Sequence, residues 1–183
     1  MLGRSVTGMT LGIVGMGRIG RAVAHRATRG FGMRVLYHQP RRVDAAALAG
    51  LDVERARDLD DLLARSDAVT LHTPATPETR HLIDAARLAR MRPGAFLINT
   101  SRGEVVDEAA LAGALASGAI AGAGLDVYEH EPHVPAALLG RENVVLLPHL
   151  GSATIETRIA MGNRAVDNLE AFLRGDPPPD RVA

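Results

Sequence analysis

Thr10-Leu11-Gly12-Ile13-Val14-Gly15-Met16-Gly17-Arg18-Ile19-Gly20 is the stretch on which the reading of this chain turns. A short apolar run of strand character ends at Gly15, and a helix-forming run begins at Arg18. Between them the glycines follow the pattern G-x-G-x-x-G, and each has a separate physical job. Gly15 permits a tight turn out of the strand. Gly17, without a Cβ, lets a phosphate approach the backbone. Gly20 lets the helix lie close to the strand. The helix aims its free N–H groups and the positive end of its dipole at the same spot. A strand before, a helix after and a βαβ pattern downstream turn a weak string into a specific expectation. Gly15, Gly17, Arg18, Ile19 and Gly20 are expected to seat a pyrophosphate.

The composition around this stretch excludes several classes of protein. The 183 residues are 46% hydrophobic, enough to bury one good core. Net charge is zero, so no basic face points to nucleic acid and no polybasic run to a lipid surface. All 21 strongly basic side chains are arginine, which rules out Schiff-base and phosphate-loop lysines. Cysteine is absent, and with it disulfides, zinc–thiolate sites and thiol nucleophiles. No apolar run approaches the length of a membrane span, and the opening residues lack a signal-peptide core. The expected setting is the cytoplasm, with no membrane or nucleic-acid partner and no metal.

Outward from the glycine turn, strands and helices alternate. Met1 to Gly8 reads as a linker. Strands are expected at Leu11–Val14, Arg34–His38, Ala68–His72, Ala95–Asn99, Ile120–Leu125 and Asn143–Leu147. Helices are expected at Arg18–Arg29, ended by Gly30 and Gly32, and at Arg41–Gly50, alanine-rich. A further helix at Leu59–Ala64 is capped by Asp58 or a nearby acid, and two short pieces fall within Thr79–Met91. Another runs from an Asp107 cap to Ser117, and the last is Thr154–Leu173. The tail, residues 176–183, is proline-rich and not expected to fold alone. Short strands, apolar on both faces and separated by helices, predict a doubly wound, mostly parallel α/β sheet of six or seven strands with helices on both faces.

Ligands of such sheets sit beyond the carboxyl ends of the strands, so loops that follow strands hold the candidates. These loops carry His38, Gln39, Arg41 and Arg42, then Thr73, Pro74 and Thr79, then Thr100, Ser101 and Arg102. Farther on come Asp126 and Glu131, then His149 and Gly151.

The stretches Asn99-Thr100-Ser101-Arg102-Gly103-Glu104, Gly124-Leu125-Asp126-Val127-Tyr128-Glu129-His130-Glu131-Pro132 and Leu147-Pro148-His149-Leu150-Gly151-Ser152-Ala153-Thr154 resemble the D-isomer-specific 2-hydroxyacid dehydrogenases. The glyoxylate/hydroxypyruvate reductase and glycerate dehydrogenase group is the nearest in flavour. The likeness runs from Gly8 to about Arg174. It implies a Rossmann fold and the reduction of a small 2-oxo acid by a nicotinamide dinucleotide. It implies Arg102 for the substrate carboxylate, a task suited to a planar cationic fork. It implies His149 as proton donor to the carbonyl oxygen, and Glu131 as the carboxylate that pairs with that imidazole. Glu129 is the competitor for that place, and Asp126 matches a residue near the nicotinamide. The other histidines are read as surface or packing residues, His38 alone lying near the cofactor.

The acid that usually binds the adenosine ribose falls about 20 residues past the glycine motif. Here that position is Gln39, followed by Arg41 and Arg42. NADP(H) is therefore the expected cofactor, with NAD(H) the alternative.

The family's chains have two lobes, and this sequence resembles the cofactor lobe, residues 1–175, with the substrate lobe absent. Nucleotide binding without efficient turnover is expected, as is a homodimer. A nucleotide-sensing interaction module of corepressor type and a phosphoglycerate dehydrogenase relative remain as alternatives.

Overall fold

The structure, a computed structural model, describes residues 3–181. Met1, Leu2, Val182 and Ala183, the outer ends of the expected linker and tail, lie outside the described residues. The chain falls into two compact units, one up to Pro148 and one from His149 onward.

The first unit contains β1 (Thr10–Val14), α1 (Arg18–Phe31), β2 (Arg34–His38), β3 (Glu54–Arg55), α2 (Leu59–Arg65) and β4 (Ala68–Leu71). It continues through α3 (Ala85–Leu88), β5 (Phe96–Asn99), α4 (Glu108–Ser117), β6 (Gly122–Leu125) and β7 (Val144–Leu146). The seven strands form one sheet in the order β3-β2-β1-β4-β5-β6-β7, every pair parallel. Strand order reverses at β1, with β2 on one side and β4 on the other. This is the doubly wound fold, and its switch point lies directly beyond the glycine turn.

Alternation along the central strands divides the core. Leu11, Ile13, Val35 and Tyr37 pack with Ala24 and Ala27 of α1. Val14 and Leu36 belong to the larger cluster with Leu59, Leu62 and Leu63 of α2 and Leu111 and Leu115 of α4. Each such leucine stabilises the fold by about 1.5–3 kcal/mol when fully buried. The small residues of α1 let it approach the sheet closely.

Helix ends follow the side chains expected to make them. Asp58 accepts from the Asp61 N–H at the start of α2, and Asp107 from the Ala110 N–H at the start of α4. Gly32 and Gly118, both left-handed, close α1 and α4. Gly30 lies inside α1 rather than ending it.

Three further expectations differ. Arg41–Gly50 is not an alanine helix; only Ala46–Leu48 forms a single 3-10 turn, with no buried residue. Within Thr79–Met91 only α3 is helical, because Thr79 is tied back to Pro74 and His81 takes a positive φ of 47°. Strand β3 was not expected: two exposed residues leave no apolar signal.

The second unit holds α5 (Ile155–Leu173), capped by Thr154, whose hydroxyl accepts from the Thr157 N–H. The proline-rich tail forms no element of its own and is tied to this helix. Asp180 pairs with Arg164, and its N–H donates to Asn168 Oδ1 at 3.0 Å.

Candidate functional site

The glycine turn separates two kinds of glycine. Gly15 has φ 95°, and a Cβ there would stand 2.5 Å from the His72 carbonyl oxygen. A Cβ on Gly20 would overlap the Gly15 carbonyl oxygen. Both are required by the packing of the turn itself. Gly17 is different: a Cβ there would meet open space. The fold does not demand a glycine at this position, so the room it leaves belongs to something the chain approaches. Gly17 is also the N-cap of α1, with no side-chain cap and no acid in the first turn. The leading N–H groups at Arg18, Ile19 and Gly20 therefore suit an anion.

Two hollows flank this point at the carboxyl edge of the sheet. One, about 500 Å³, is lined by Gly15 and Gly17 of the turn, by His38, Gln39 and Arg41 after β2, and by Thr79 and its neighbours after β4. The other, about 430 Å³, is lined by Ile19, Thr100, Ser101 and Arg102. His72, Thr73 and Pro74 line both. A trough thus runs past the N-terminus of α1 from the end of β2 to the end of β5. Its shape and donors fit a dinucleotide. Two buried polar atoms support the fit, because His38 Nδ1 and Thr73 Oγ1 have no hydrogen-bond partner. Burial first, then the nearby Arg55 charge, holds the His38 ring below its ordinary pKa, which favours the neutral imidazole.

Gln39 is committed in a way the sequence does not reveal. Its Oε1 accepts from the Met16 N–H at 2.9 Å, pinning the glycine turn. Its amide nitrogen offers only donors. Thr79 is likewise committed: its hydroxyl donates to the Pro74 carbonyl at 2.6 Å and accepts from the Thr76 N–H at 2.8 Å, clasping the loop. His72, expected to be a packing residue, lines both hollows and bonds Thr70 through its ring. Burial pushes its pKa down as well.

Arg102 stands on a turn built by Asn99. The Asn99 amide donates to the Arg102 carbonyl at 2.8 Å, and its oxygen accepts from the Ser101 N–H at 3.0 Å and hydroxyl at 2.8 Å. Asn99 is 1% exposed. Arg102 itself is exposed, with one N–H on the Ser101 carbonyl at 2.6 Å.

Behind this turn three loops meet. Gly103 lies so close to the Tyr128–Glu129 peptide that a Cβ would overlap it. Buried Glu108 accepts from the Glu129 N–H at 3.0 Å. The Glu129 carboxylate binds Arg80 at 2.6 Å and His81 at 3.1 Å. Burial pushes Glu129 up, but these two partners outweigh it and hold the group below its ordinary range. Burial pushes Glu108 up, only partly offset by the bond from Glu129. Glu129 is thus committed to its own ion pairs. Glu131, exposed, accepts from the Tyr128 N–H at 3.2 Å. Asp126 is buried at the end of β6. His149 and Gly151 begin the second unit, and His149 holds a left-handed φ of 56°, uncommon for a residue with a side chain.

Among the described residues no group of three or more His, Asp or Glu side chains could hold a metal ion, and no helix is long and apolar enough to cross a membrane.

Fold and trough together define a nucleotide-binding α/β domain. The family described as "D-isomer specific 2-hydroxyacid dehydrogenase, NAD binding domain" matches residues 1–151, and the chain belongs to that family. A glyoxylate reductase of Korarchaeum cryptofilum is 54% identical over 184 residues, covering 100% of this chain and 54% of that protein. The apo D-mandelate dehydrogenase of Rhodotorula graminis superposes with a TM-score of 0.92 at 38% identity, over 98% of this chain and 52% of that one. An NADPH-dependent glyoxylate/hydroxypyruvate reductase of Sinorhizobium meliloti, solved with NADP and malonate, gives a TM-score of 0.83 at 43% identity, over 91% and 50%. The chain therefore spans about half the length of the curated relatives it matches.

Proposed function

We propose that this chain is the cofactor-binding domain of an NADP(H)-preferring reductase of small 2-oxo acids such as glyoxylate or hydroxypyruvate. The observation that carries the reading is the trough past Gly17, which ends at a guanidinium presented on a rigid turn. When bound, the reduced nicotinamide supplies the hydride. Arg102 holds the substrate carboxylate through paired N–H donors. The roles of His149 as proton donor and Glu131 as its carboxylate come from the family resemblance.

The preference for NADP(H) follows from the polarity of the ribose position. A ribose 2′-hydroxyl is normally read by an acceptor. Here no carboxylate stands at that position, and the Gln39 side-chain oxygen already accepts from the Met16 N–H at 2.9 Å. Beside it stand the Gln39 amide N–H groups, Arg41 and Arg42, which are donors. That set suits a phosphate, which only accepts.

Homodimerisation, a cytoplasmic setting and weak turnover by this chain alone belong to the same reading. They rest on the resemblance and on catalysis needing a cleft that excludes water. The test is fluorescence titration with NADPH and NADH, followed by an assay with glyoxylate. Tighter NADPH is expected, by tenfold or more. Tighter NADH overturns the cofactor preference, and reduction at rates ordinary for enzymes overturns the expectation of weak turnover.

A further inference from the structure

The donors at the ribose position extend beyond the loop that follows β2. Arg55 is the last residue of β3, the outermost strand, in register with Tyr37 of β2. Because β2 and β3 are parallel, both release their chains at the same edge of the sheet. From there the Arg55 side chain crosses the end of β2, and Nη2 donates to the Gln39 carbonyl at 3.2 Å. That carbonyl belongs to Gln39, which itself lines the hollow beside the glycine turn.

Arg55 has no carboxylate partner among the described residues. Its neighbours in sequence differ: Arg57 pairs with Asp58 at 2.9 Å, and Arg65 with Glu54 at 2.7 Å. Arg55 also acts electrostatically on His38, a residue that lines the same hollow. The guanidinium is thus anchored by one N–H and exposed, with no ion-pair partner among the described residues. Four N–H donors remain. Anchoring lowers the conformational cost of using them, and the planar fork matches a phosphate.

We propose that Arg55 is a specificity-determining residue that joins Arg41 and Arg42 in holding the 2′-phosphate of NADP(H). This rests on the NADP(H) reading above. The sequence motif after β2 does not include it, since a separate strand delivers it to the site.

The test uses paired ligands that differ only in the phosphate: NADPH against NADH, and 2′,5′-ADP against 5′-AMP. Two variants separate charge from anchoring. Arg55→Met removes both, while Arg55→Gln keeps an N–H donor for the Gln39 carbonyl and removes the charge. Dissociation constants for NADPH and 2′,5′-ADP should rise about tenfold in both variants, the loss expected for a charge-assisted bond. Those for NADH and 5′-AMP should stay within twofold. Equal weakening of both members of each pair would show that Arg55 only fastens the β2 loop, and would overturn the proposal. An unchanged NADPH/NADH ratio in a variant of a protein that itself prefers NADPH would remove Arg55 alone. If the unsubstituted chain prefers NADH, the cofactor reading and the proposal fall together.

Discussion

Two turns at the carboxyl edge of the sheet solve opposite problems. The turn after β1 is made by leaving side chains out: Gly15 and Gly20 allow a backbone path that any Cβ would block. The turn after β5 is made by putting a side chain in, with the Asn99 amide replacing backbone hydrogen bonds across residues 99–102. The first exposes backbone N–H groups to a ligand; the second holds a backbone still so that the Arg102 side chain can project. Where the chain itself is the recognition group, glycine is needed. Where a side chain is, a buried polar residue must fix its base.

The sharpest way to break the contrast is to fill the first turn. Gly20→Ala forces a Cβ into the Gly15 carbonyl and should destabilise the fold by about 3 kcal/mol, read from urea midpoints. Gly17→Ala is its control, because the added Cβ meets open space. It should cost under about 1 kcal/mol of stability while weakening NADPH at least tenfold. Similar stability losses in both variants would erase the distinction between packing and ligand glycines.

Emptying the second turn should cost less. Asn99→Leu removes three hydrogen bonds and strands the buried Ser101 polar groups, for a loss of about 2 kcal/mol. NADPH affinity should change little, since Asn99 lines neither hollow. A melting temperature equal to that of the unsubstituted protein would show that the turn holds without its amide.

The smallest effect has the opposite sign. The raised pKa of Glu108 means that the folded protein holds this proton more tightly than the unfolded chain. Stability therefore falls as pH climbs from the ordinary carboxylate range through the raised value, and the ionised group is a liability at neutral pH. Glu108→Gln keeps an oxygen for the Glu129 N–H. It should raise the melting temperature at pH 7 by a few degrees at most, with the gain vanishing near pH 4. A lower melting temperature at pH 7 would mean that the charge strengthens the bond more than burial penalises it.

The β1 turn was legible because its signal is local: strand, glycines and helix are contiguous. The parallel sheet was legible for the same reason, its strands being short apolar runs between helices. Strand β3 was invisible because an exposed edge strand of two residues leaves no apolar pattern. The alanines of 41–50 misled because helix propensity is weak without a face to bury. At the site, sequence showed that Gln39 is not an acid. It did not show that the Met16 N–H takes its oxygen, which is a fact of packing. Asn99, Arg55 and Glu108 act through residues distant in sequence or through a turn's internal bonds, so no motif marked them.

The bond between Glu108 and the Glu129 N–H also bears on motion. Together with the ion pairs of Glu129 it fastens residues 126–131 to the start of α4 and to Arg80 and His81. A loop tethered to two other segments has few conformations left to surrender when a ligand arrives. The entropy of ordering that loop is met once, during folding, and does not recur as a penalty on each binding event.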